Sequence, residues 1–321
     1  MTSYWNDFPG IPEALERVSG IIRLSTESKN PIIAKGLDSL FSGKGKLLRP
    51  GMFLLAAQFG KPQEKHDKLA ASLEMLHMAT LIHDDVIDDS PLRRGLPAVH
   101  TRFGKRDAVL IGDYLLSRCF LLTAEYTSPQ NAVNLGHLIS VICTMEIEQN
   151  NDRWRNNISL RSYLRKILGK SALLFSLACY AGAYEAKAPK NICELLRRIG
   201  YNIGIAFQII DDILDYTGKE DLVRKPLGND ITSGLVTLPV LCALPLDRTG
   251  TLRKIFSRDG FTPEEGKQIL TLVTQSGGVE AAGKYAEGYT NRALNEISAL
   301  PPGKNRDMLD TLTRRLLIRE K

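Results

Sequence analysis

Apolar residues recur along most of the chain at spacings of three and four positions, which is the pattern of a helix with one buried face. The pattern runs through six long segments: residues 11–28, 64–89, 106–126, 130–150, 160–184 and 190–216. Turn-forming residues separate these segments, and Thr262 with Pro263 and two glutamates marks a further helix start. Neither convincing β alternation nor an Asn-Gly turn occurs. The sequence therefore predicts an all-α protein and, because no low-complexity linker divides it, one domain over residues 1–321.

The composition of the chain, 321 residues with 43% hydrophobic and 24% charged, is that of a soluble globular protein. The net charge of +6 comes from dispersed basic residues without a recognised nucleic-acid motif, so no nucleic-acid partner is expected. Five cysteines without a Cys-x-x-Cys pair favour a reducing, cytoplasmic setting. The N-terminus lacks the layout of a signal peptide, and no apolar run is long enough to span a bilayer, so no transmembrane helix is expected.

Two apolar helices are predicted to end in the same arrangement of carboxylates. Asp84 and Asp88 lie four positions apart, as do Asp211 and Asp215, so each pair shares one helix face. Like charges in that arrangement repel, and the C-terminal end of a helix disfavours anions. Clustered carboxylates are the ligands of Mg²⁺, which typically binds one or two of them together with substrate phosphates. One such motif alone is often only a solvated helix end, but two matching motifs favour a shared metal site.

Basic side chains suited to phosphate lie close to the acidic motifs or between the helices. Each of them alone is most simply a surface residue, and the arginines after the first motif alone would serve to neutralise it. As a set they indicate a site for phosphorylated ligands. The set comprises Lys46 and Arg49, three positions apart at a predicted helix start, with His77, Arg93, Arg94, Lys170 and Lys225.

These motifs, in this order, resemble those of the trans-isoprenyl diphosphate synthases, or polyprenyl synthetases. The resemblance covers most of the chain, from about residue 43 to residue 240. The matching motifs are GKLLRP (45–50), HDDVIDD (83–89), RRG (93–95), GDYLL (112–116), the pair Glu146 and Gln149, Lys170-Ser171, FQIIDDILD (207–215) and TLP (237–239).

The resemblance implies a single isoprenoid synthase domain of ten or more helices around a central cavity, with the two acidic motifs facing each other across its mouth. It implies a Mg²⁺-dependent, head-to-tail condensation of isopentenyl diphosphate with an allylic diphosphate, with three metal ions bound when substrate is present. The metal stabilises the departing diphosphate, the isopentenyl double bond attacks the allylic cation, and a proton is lost to the diphosphate. The product is an all-trans polyprenyl diphosphate.

The resemblance also assigns roles to individual residues. The implied metal ligands are Asp84, Asp85, Asp88, Asp211 and Asp215. The implied catalytic residues are Asp84, Asp88, Asp211, Lys170 and Gln208, with Gln208 beside Phe207 at the reaction centre. The allylic diphosphate is bound by Arg93, Lys170 and Lys225, next to Ser171. Isopentenyl diphosphate is bound by Gly45, Lys46, Arg49, His77 and Arg94.

Two positions depart from the family pattern. Met145 replaces a usual glycine before Glu146, and Leu235 replaces the lysine of a usual Gly-Lys-x-Thr motif. Because Leu235 cannot approach a diphosphate as a lysine does, the chain resembles the catalytic subunits of two-component enzymes, which work with a small partner protein. The resemblance, together with apolar helices such as 106–126, implies a homodimer, and Leu235 adds the expectation of a small accessory subunit.

Product length is expected to depend on the helix that ends at Asp84, because side chains one and two turns earlier would line the growing chain. Leu76, Ala79 and Thr80 occupy these positions, and none is a bulky aromatic residue. This predicts a product beyond C20, about C30 to C40. The alternative is that Ala79 only packs between helices and that another helix closes the tunnel.

Three other functions are alternatives to this hypothesis. A farnesyl or geranylgeranyl diphosphate synthase differs only in product length. A non-catalytic subunit of a heteromeric prenyl synthase usually has one degraded acidic motif, whereas both are intact here. A terpene cyclase binds no second diphosphate, so it would have no use for Lys46, Arg49 and His77.

Overall fold

The chain forms two compact units, each assembled from two separate segments. A computed structural model describes residues 3–42, 45–93, 95–155, 158–217, 227–258 and 260–317. Met1–Gly136 and Leu177–Arg197 form the first unit, and His137–Ser176 and Arg198–Lys321 form the second. The prediction of one domain over residues 1–321 stays a prediction.

The described part of the chain is almost entirely helical, which confirms the all-α prediction and the expectation of ten or more helices. The helices of the first half are α1 (Ile11–Ser25), α2 (Pro31–Ser42), α3 (Leu48–Ala57), α4 (Lys65–Ile87), α5 (Val99–Phe103), α6 (Lys105–Tyr126) and α7 (Pro129–Asn151). They are followed by α8 (Leu160–Ile167), α9 (Leu173–Glu185), α10 (Lys190–Thr217), α11 (Asn229–Thr232), α12 (Leu238–Leu246), α13 (Thr251–Phe256), α14 (Pro263–Gln275), α15 (Gly278–Ser298) and α16 (Lys304–Leu317).

A short antiparallel hairpin follows α4, where no β structure was expected. Its strands are β1 (Leu92–Arg93) and β2 (Leu96–Pro97). Strands of two residues are too short to show the alternation of polar and apolar positions by which a strand is recognised in a sequence. The hairpin carries Arg93, which is predicted to bind the allylic diphosphate.

In the first unit, α4 is the central helix and packs against α1, α3 and α6. It is buried on most sides, as expected of a helix that is apolar around much of its circumference. The close approach of α6 depends on Gly112, because a Cβ atom there would lie 2.2 Å from Nε2 of His83. The first acidic motif is therefore mounted on a tightly packed core helix.

In the second unit, the core lies between α12 and α15 and between α11 and α14. Helix α14 begins with a capping box, in which the Thr262 hydroxyl accepts from the Glu265 N–H and the Glu265 carboxylate accepts from the Thr262 N–H. This confirms the helix start expected at Thr262 and Pro263.

The predicted helix over residues 160–184 contains a π-helical turn, Leu168–Ala172, between α8 and α9. Helix α10 approaches this turn closely at Gly204, where an added Cβ atom would lie 2.5 Å from the Cα atom of Ala172. Turns of this kind often occur at functional sites.

Among the described residues, one helical stretch, Leu160–Glu185, is long and apolar enough to cross a membrane. About three fifths of its most apolar window, 61%, is buried inside the protein, and the core helix of a protein that spans no membrane meets the same criterion.

Candidate functional site

The first acidic motif lies at the C-terminal end of α4. Asp84 is in the last turn of the helix and Asp88 caps it, with its backbone N–H donating to the Asp84 carbonyl at 2.8 Å. Both side chains are half-buried. Their four-residue spacing and their location on one helix end agree with the arrangement expected for two carboxylates that share a cation.

Asp85, the second carboxylate of this motif, is engaged within the protein. Only 5% of the residue is exposed. Arg93 of the β-hairpin binds both of its oxygens, with Nη2 at 2.6 Å from Oδ1 and Nε at 3.1 Å from Oδ2. Asp85 and Arg93 were assigned to metal and to diphosphate respectively, and those assignments stay predictions that require this ion pair to open.

The next carboxylate, Asp89, is exposed and adopts a positive φ of 50°. Its Oδ1 lies 3.0 Å from Nζ of Lys105, and this hydrogen-bonded lysine holds the pKa of Asp89 below its usual value. Asp89, the last carboxylate of the motif, is thus part of an ion pair at the protein surface.

The basic loop before α3 is held by the N-terminal segment. Nε1 of Trp5 donates to the carbonyl of Lys46 at 2.6 Å, and Nζ of Lys46 lies 5.0 Å from the centre of the Tyr4 ring. Trp5 also fills the space beside Gly51, where a Cβ atom would lie 2.2 Å from the indole. Sequence reasoning missed both aromatic residues, and the only signal for them was an aromatic cluster in an otherwise polar N-terminus.

Two residues predicted to bind isopentenyl diphosphate are in contact in the first unit. Nη1 of Arg49 lies 2.9 Å from Nε2 of His77. Because the guanidinium can only donate, Nε2 of His77 accepts, and its Nδ1 then carries the proton. Lys46, in the loop before α3, is exposed, whereas Arg49, in the first turn of α3, is buried.

The positions expected to control product length lie one and two turns before Asp84 in α4. Ala79 and Leu76 are fully buried, and the Thr80 hydroxyl donates to the His77 carbonyl at 2.8 Å. Cys119 of α6 packs against the Leu76 backbone, and burial raises the pKa of its thiol to about 12. Cys119 is therefore an inert core residue rather than a nucleophile.

The second acidic motif lies in the last turns of α10. Asp211 is exposed, whereas Asp212 is buried and Asp215 is half-buried. The two oxygens of Asp215 accept from the backbone N–H groups of Asn229 and Asp230, at 3.2 and 3.1 Å. Asp215 therefore holds the start of α11 against the end of α10.

A chain of buried hydrogen bonds fixes the centre of this site. The Ser171 hydroxyl donates to Oε1 of Gln208 at 2.6 Å. Nε2 of Gln208 donates to Oδ1 of Asp212 at 2.9 Å, and the Tyr163 hydroxyl donates to Oδ2 of the same carboxylate at 2.6 Å. The network joins Ser171 and Gln208, both of which were predicted to bind substrate, and it adds Tyr163, which no sequence signal had identified.

The buried carboxylate of Asp212 is electrostatically unfavourable. Burial and the nearby Asp230 raise its pKa to about 7, although hydrogen bonds from Tyr163 and Gln208 and the charge of Lys170 act in the opposite direction. Lys170 itself lies exposed in the π-helical turn. A buried carboxylate with its pKa raised in this way makes the surroundings of Asp212 a candidate functional site.

Leu235 lies in the loop that follows α11. Its N–H donates to the Asp230 carbonyl at 2.9 Å. The preceding Gly234 has a φ of +84° and lies so close to Trp154 that a Cβ atom would be 2.5 Å from the indole ring. The loop directs Leu235 into a cavity that Lys170, Gln208 and Asp212 also line.

The two acidic motifs thus share one arrangement of buried and exposed aspartates. In each, the second aspartate is buried and held by protein donors, Arg93 for Asp85, and Tyr163 with Gln208 for Asp212. The first aspartate, Asp84 or Asp211, is more exposed.

Within the ranges that the structure describes, no three His, Cys, Asp or Glu side chains converge to hold a metal ion unaided. A pair of carboxylates is nevertheless sufficient for Mg²⁺, which takes its remaining ligands from water and phosphate. Arg94 and Lys225, both predicted to bind diphosphate, lie outside the described residues.

Comparison with known proteins gives a consistent result. A family model described as "Polyprenyl synthetase" matches residues 30–273. Heptaprenyl diphosphate synthase component 2 of Geobacillus stearothermophilus is 36% identical over 96% of this chain and 94% of that protein.

Among solved structures, geranylgeranyl pyrophosphate synthase of Lactobacillus brevis has a TM-score of 0.90 and 37% identity, covering 99% of each chain. Polyprenyl synthase of Caulobacter crescentus, solved in complex with calcium and isoprenyl diphosphate, has a TM-score of 0.89 and 33% identity. The similarity covers 96% of this chain and 95% of that one.

Proposed function

Because this chain belongs to the polyprenyl synthetase family, we propose that it condenses isopentenyl diphosphate head to tail with an allylic diphosphate. The allylic C–O bond breaks, diphosphate leaves with the electron pair, and the isopentenyl double bond forms the new C–C bond. Loss of a proton to the departing diphosphate restores the double bond. The product is an all-trans polyprenyl diphosphate beyond C20, about C30 to C40.

One observation carries the proposal: in both acidic motifs the second aspartate is held by protein donors, whereas the first is more exposed. Protein donors bind Asp85 and Asp212, which makes each a support for its helix end. Asp84, Asp88 and Asp211 are then the carboxylates suited to Mg²⁺. These carboxylates would hold Mg²⁺, proposed as three ions with substrate present, and the metal would supply the positive charge that makes diphosphate a better leaving group.

In the second unit, the allylic diphosphate is expected to bind beside the exposed Lys170. Gln208 cannot rotate freely, because its two amide atoms bond to Ser171 and Asp212. A fixed amide dipole beside the reacting carbon needs no reorganisation when the allylic cation forms. In the first unit, Lys46, Arg49 and His77 supply the donors for isopentenyl diphosphate.

The proposed product length rests on α4. Ala79 and Leu76 are fully buried. The growing chain can therefore reach them only if the side chains packed around them move aside. The name of the Geobacillus relative, a heptaprenyl diphosphate synthase, supports the longer product. The Lactobacillus brevis relative, a geranylgeranyl pyrophosphate synthase, supports C20 as the alternative.

We also propose a homodimer that can take up a small accessory subunit. Helix α6 exposes large apolar side chains, including Leu110 and Leu121, each more than half exposed, and Phe120. Such a face favours a protein partner. The accessory subunit is supported by Leu235 and by the name "component 2" of the Geobacillus relative.

The test is to incubate the purified chain with isopentenyl diphosphate, farnesyl diphosphate and Mg²⁺, and to separate the products by chromatography after dephosphorylation. We expect polyprenols longer than C20, and none when EDTA is present. Products of C15 or C20 only would overturn the proposed length. No condensation, either alone or with a small subunit from a two-component enzyme, would overturn the proposed function.

A further inference from the structure

A small cavity in the second unit contains a lysine that the proposed function has not yet used. Its lining includes Lys166 and Lys170 together with Gln208, Asp212, Asp230 and Leu235. Lys166 is in the last turn of α8, four residues before Lys170. The cavity therefore brings two ammonium groups to the second acidic motif.

Lys166 is well buried for a lysine. Its side chain is only 10% exposed, and Nζ lies 2.9 Å from Oδ2 of Asp152. Burying an ammonium group is unfavourable unless it is paired, and lysines usually remain in solvent. The simplest explanation is an ion pair that only stabilises the fold, so the surroundings of Asp152 decide between a structural and a functional role.

Asp152 has a second cation within reach. Nη1 of Arg155 lies 3.8 Å from its other oxygen, Oδ1. If Lys166 turned away, Arg155 would remain to compensate the carboxylate. The ion pair can therefore open without leaving Asp152 uncompensated, which is what a lysine that exchanges a carboxylate for a ligand requires.

The cavity is short of positive charge in relation to its carboxylates. Asp152, Asp212 and Asp230 line it, against Lys166 and Lys170. The other lining residues, Leu235 among them, are neutral, so they add no positive charge. A diphosphate approaching Lys170 needs further cations to offset both its own charge and these carboxylates.

We propose that Lys166 is a second diphosphate-binding lysine of this site, which leaves Asp152 and binds the allylic diphosphate beside Lys170. The inference rests on the proposed function and adds one residue to it. The cavity has a volume of about 30 Å³, too small to enclose a diphosphate, so the ligand stays at its edge. The flexible four-carbon stem of Lys166 lets the ammonium group reach it.

The experiment compares Lys166→Met with Asp152→Asn in the full chain. Binding of farnesyl thiolodiphosphate, which cannot react, is measured by calorimetry with Mg²⁺, and the KM values of both substrates are measured by turnover. For Lys166→Met we expect affinity for the allylic analogue to fall about 10- to 100-fold, with the KM for isopentenyl diphosphate unchanged. For Asp152→Asn we expect unchanged or tighter binding, because that change releases the lysine.

A lysine with a purely structural role gives a different result, since both variants would then break the same ion pair and weaken binding equally. That outcome, or unchanged binding in Lys166→Met, would overturn the inference. Lys267→Met, an exposed lysine on α14, is the control for loss of one positive charge. If Lys166→Met does not fold, Lys166→Gln takes its place.

A third variant tests the cavity itself. Leu235→Lys places a new ammonium group on the same lining, so in the Lys166→Met background we expect it to restore at least part of the lost affinity. No restoration by a folded double variant counts against a shared phosphate site. Wild-type turnover is measured first, so failure of the proposed function is recognised separately from failure of this inference.

Discussion

Tyr163 donates a hydrogen bond of 2.6 Å to Oδ2 of Asp212, and both groups are buried in the second unit. The other oxygen of this carboxylate accepts from Gln208, so Asp212 links Tyr163 to Gln208. Tyr163 is thus a positioning residue that touches neither substrate nor metal in the proposed mechanism.

Tyr163→Phe is expected to lower the free energy of unfolding by about 1–3 kcal/mol, because it leaves a buried carboxylate oxygen without its donor. The kcat should fall about tenfold while the KM of isopentenyl diphosphate is unchanged, since Gln208 loses its fixed orientation. Urea denaturation and steady-state kinetics measure the two effects. Tyr285→Phe, on an exposed tyrosine, should change neither, and a Tyr163→Phe variant with normal kcat would contradict the positioning role.

Gly204→Ala is expected to be harmful although alanine is the better helix former. The new methyl group would meet the backbone of Ala172 at 2.5 Å, so α10 must move away from the π-helical turn. We expect a loss of about 1–3 kcal/mol in stability and a lower kcat, because Ser171 and Gln208 lie across this contact. Gly288→Ala is the matched control, since nothing lies within 4 Å of its added Cβ atom. A thermal melt that ranks the two variants equally would contradict this prediction.

Asp84→Asn and Asp211→Asn should each lower kcat roughly 1,000-fold, because each removes charge from a metal-binding position. Neither should destabilise the fold, since removing one of several like charges relieves repulsion. Asp85→Asn should behave differently: Arg93 loses its buried ionic partner, so stability falls and kcat falls less. Measured together, these variants separate metal ligands from supporting carboxylates, and equal kinetic losses in all three would show that Asp85 is also a ligand.

Ala79→Tyr is expected to shorten the product, because a phenol ring one turn before Asp84 would block the path of the growing chain. Since Ala79 is fully buried, a stability loss of about 1–3 kcal/mol is expected as well. The readout is therefore the ratio of product lengths from the folded fraction, which does not depend on total activity. An unchanged ratio would mean that Ala79 does not line that path.

The long helices could be predicted from the sequence because apolar periodicity over twenty or more residues is a strong signal. The segment 11–28 is observed as Ile11–Ser25, and 190–216 as Lys190–Thr217. Short elements gave no such signal: α11 has only four residues, and it is held in place by Asp215 rather than by its own periodicity. The π-helical turn was also invisible, because the apolar pattern continues through it.

The residue types of the site could be predicted, but not what each side chain contacts. The sequence places Asp84 and Asp85 in one motif. Only the folded hairpin shows that Arg93 forms an ion pair with Asp85. Tyr163 was missed for the same reason: a tyrosine in an amphipathic helix has the signature of any core residue, and its partner lies 49 positions away.

The π-helical turn has a further consequence for how this site can change. Such a turn is an α-helix that has gained one residue. Ser171 therefore sits about 100° further round the axis than an uninterrupted α-helix would put it. Deleting one residue from Leu168–Ala172 would restore regular backbone pairing, yet it would swing the serine hydroxyl away from Gln208. We therefore expect such a deletion to give a more regular helix and a less active protein.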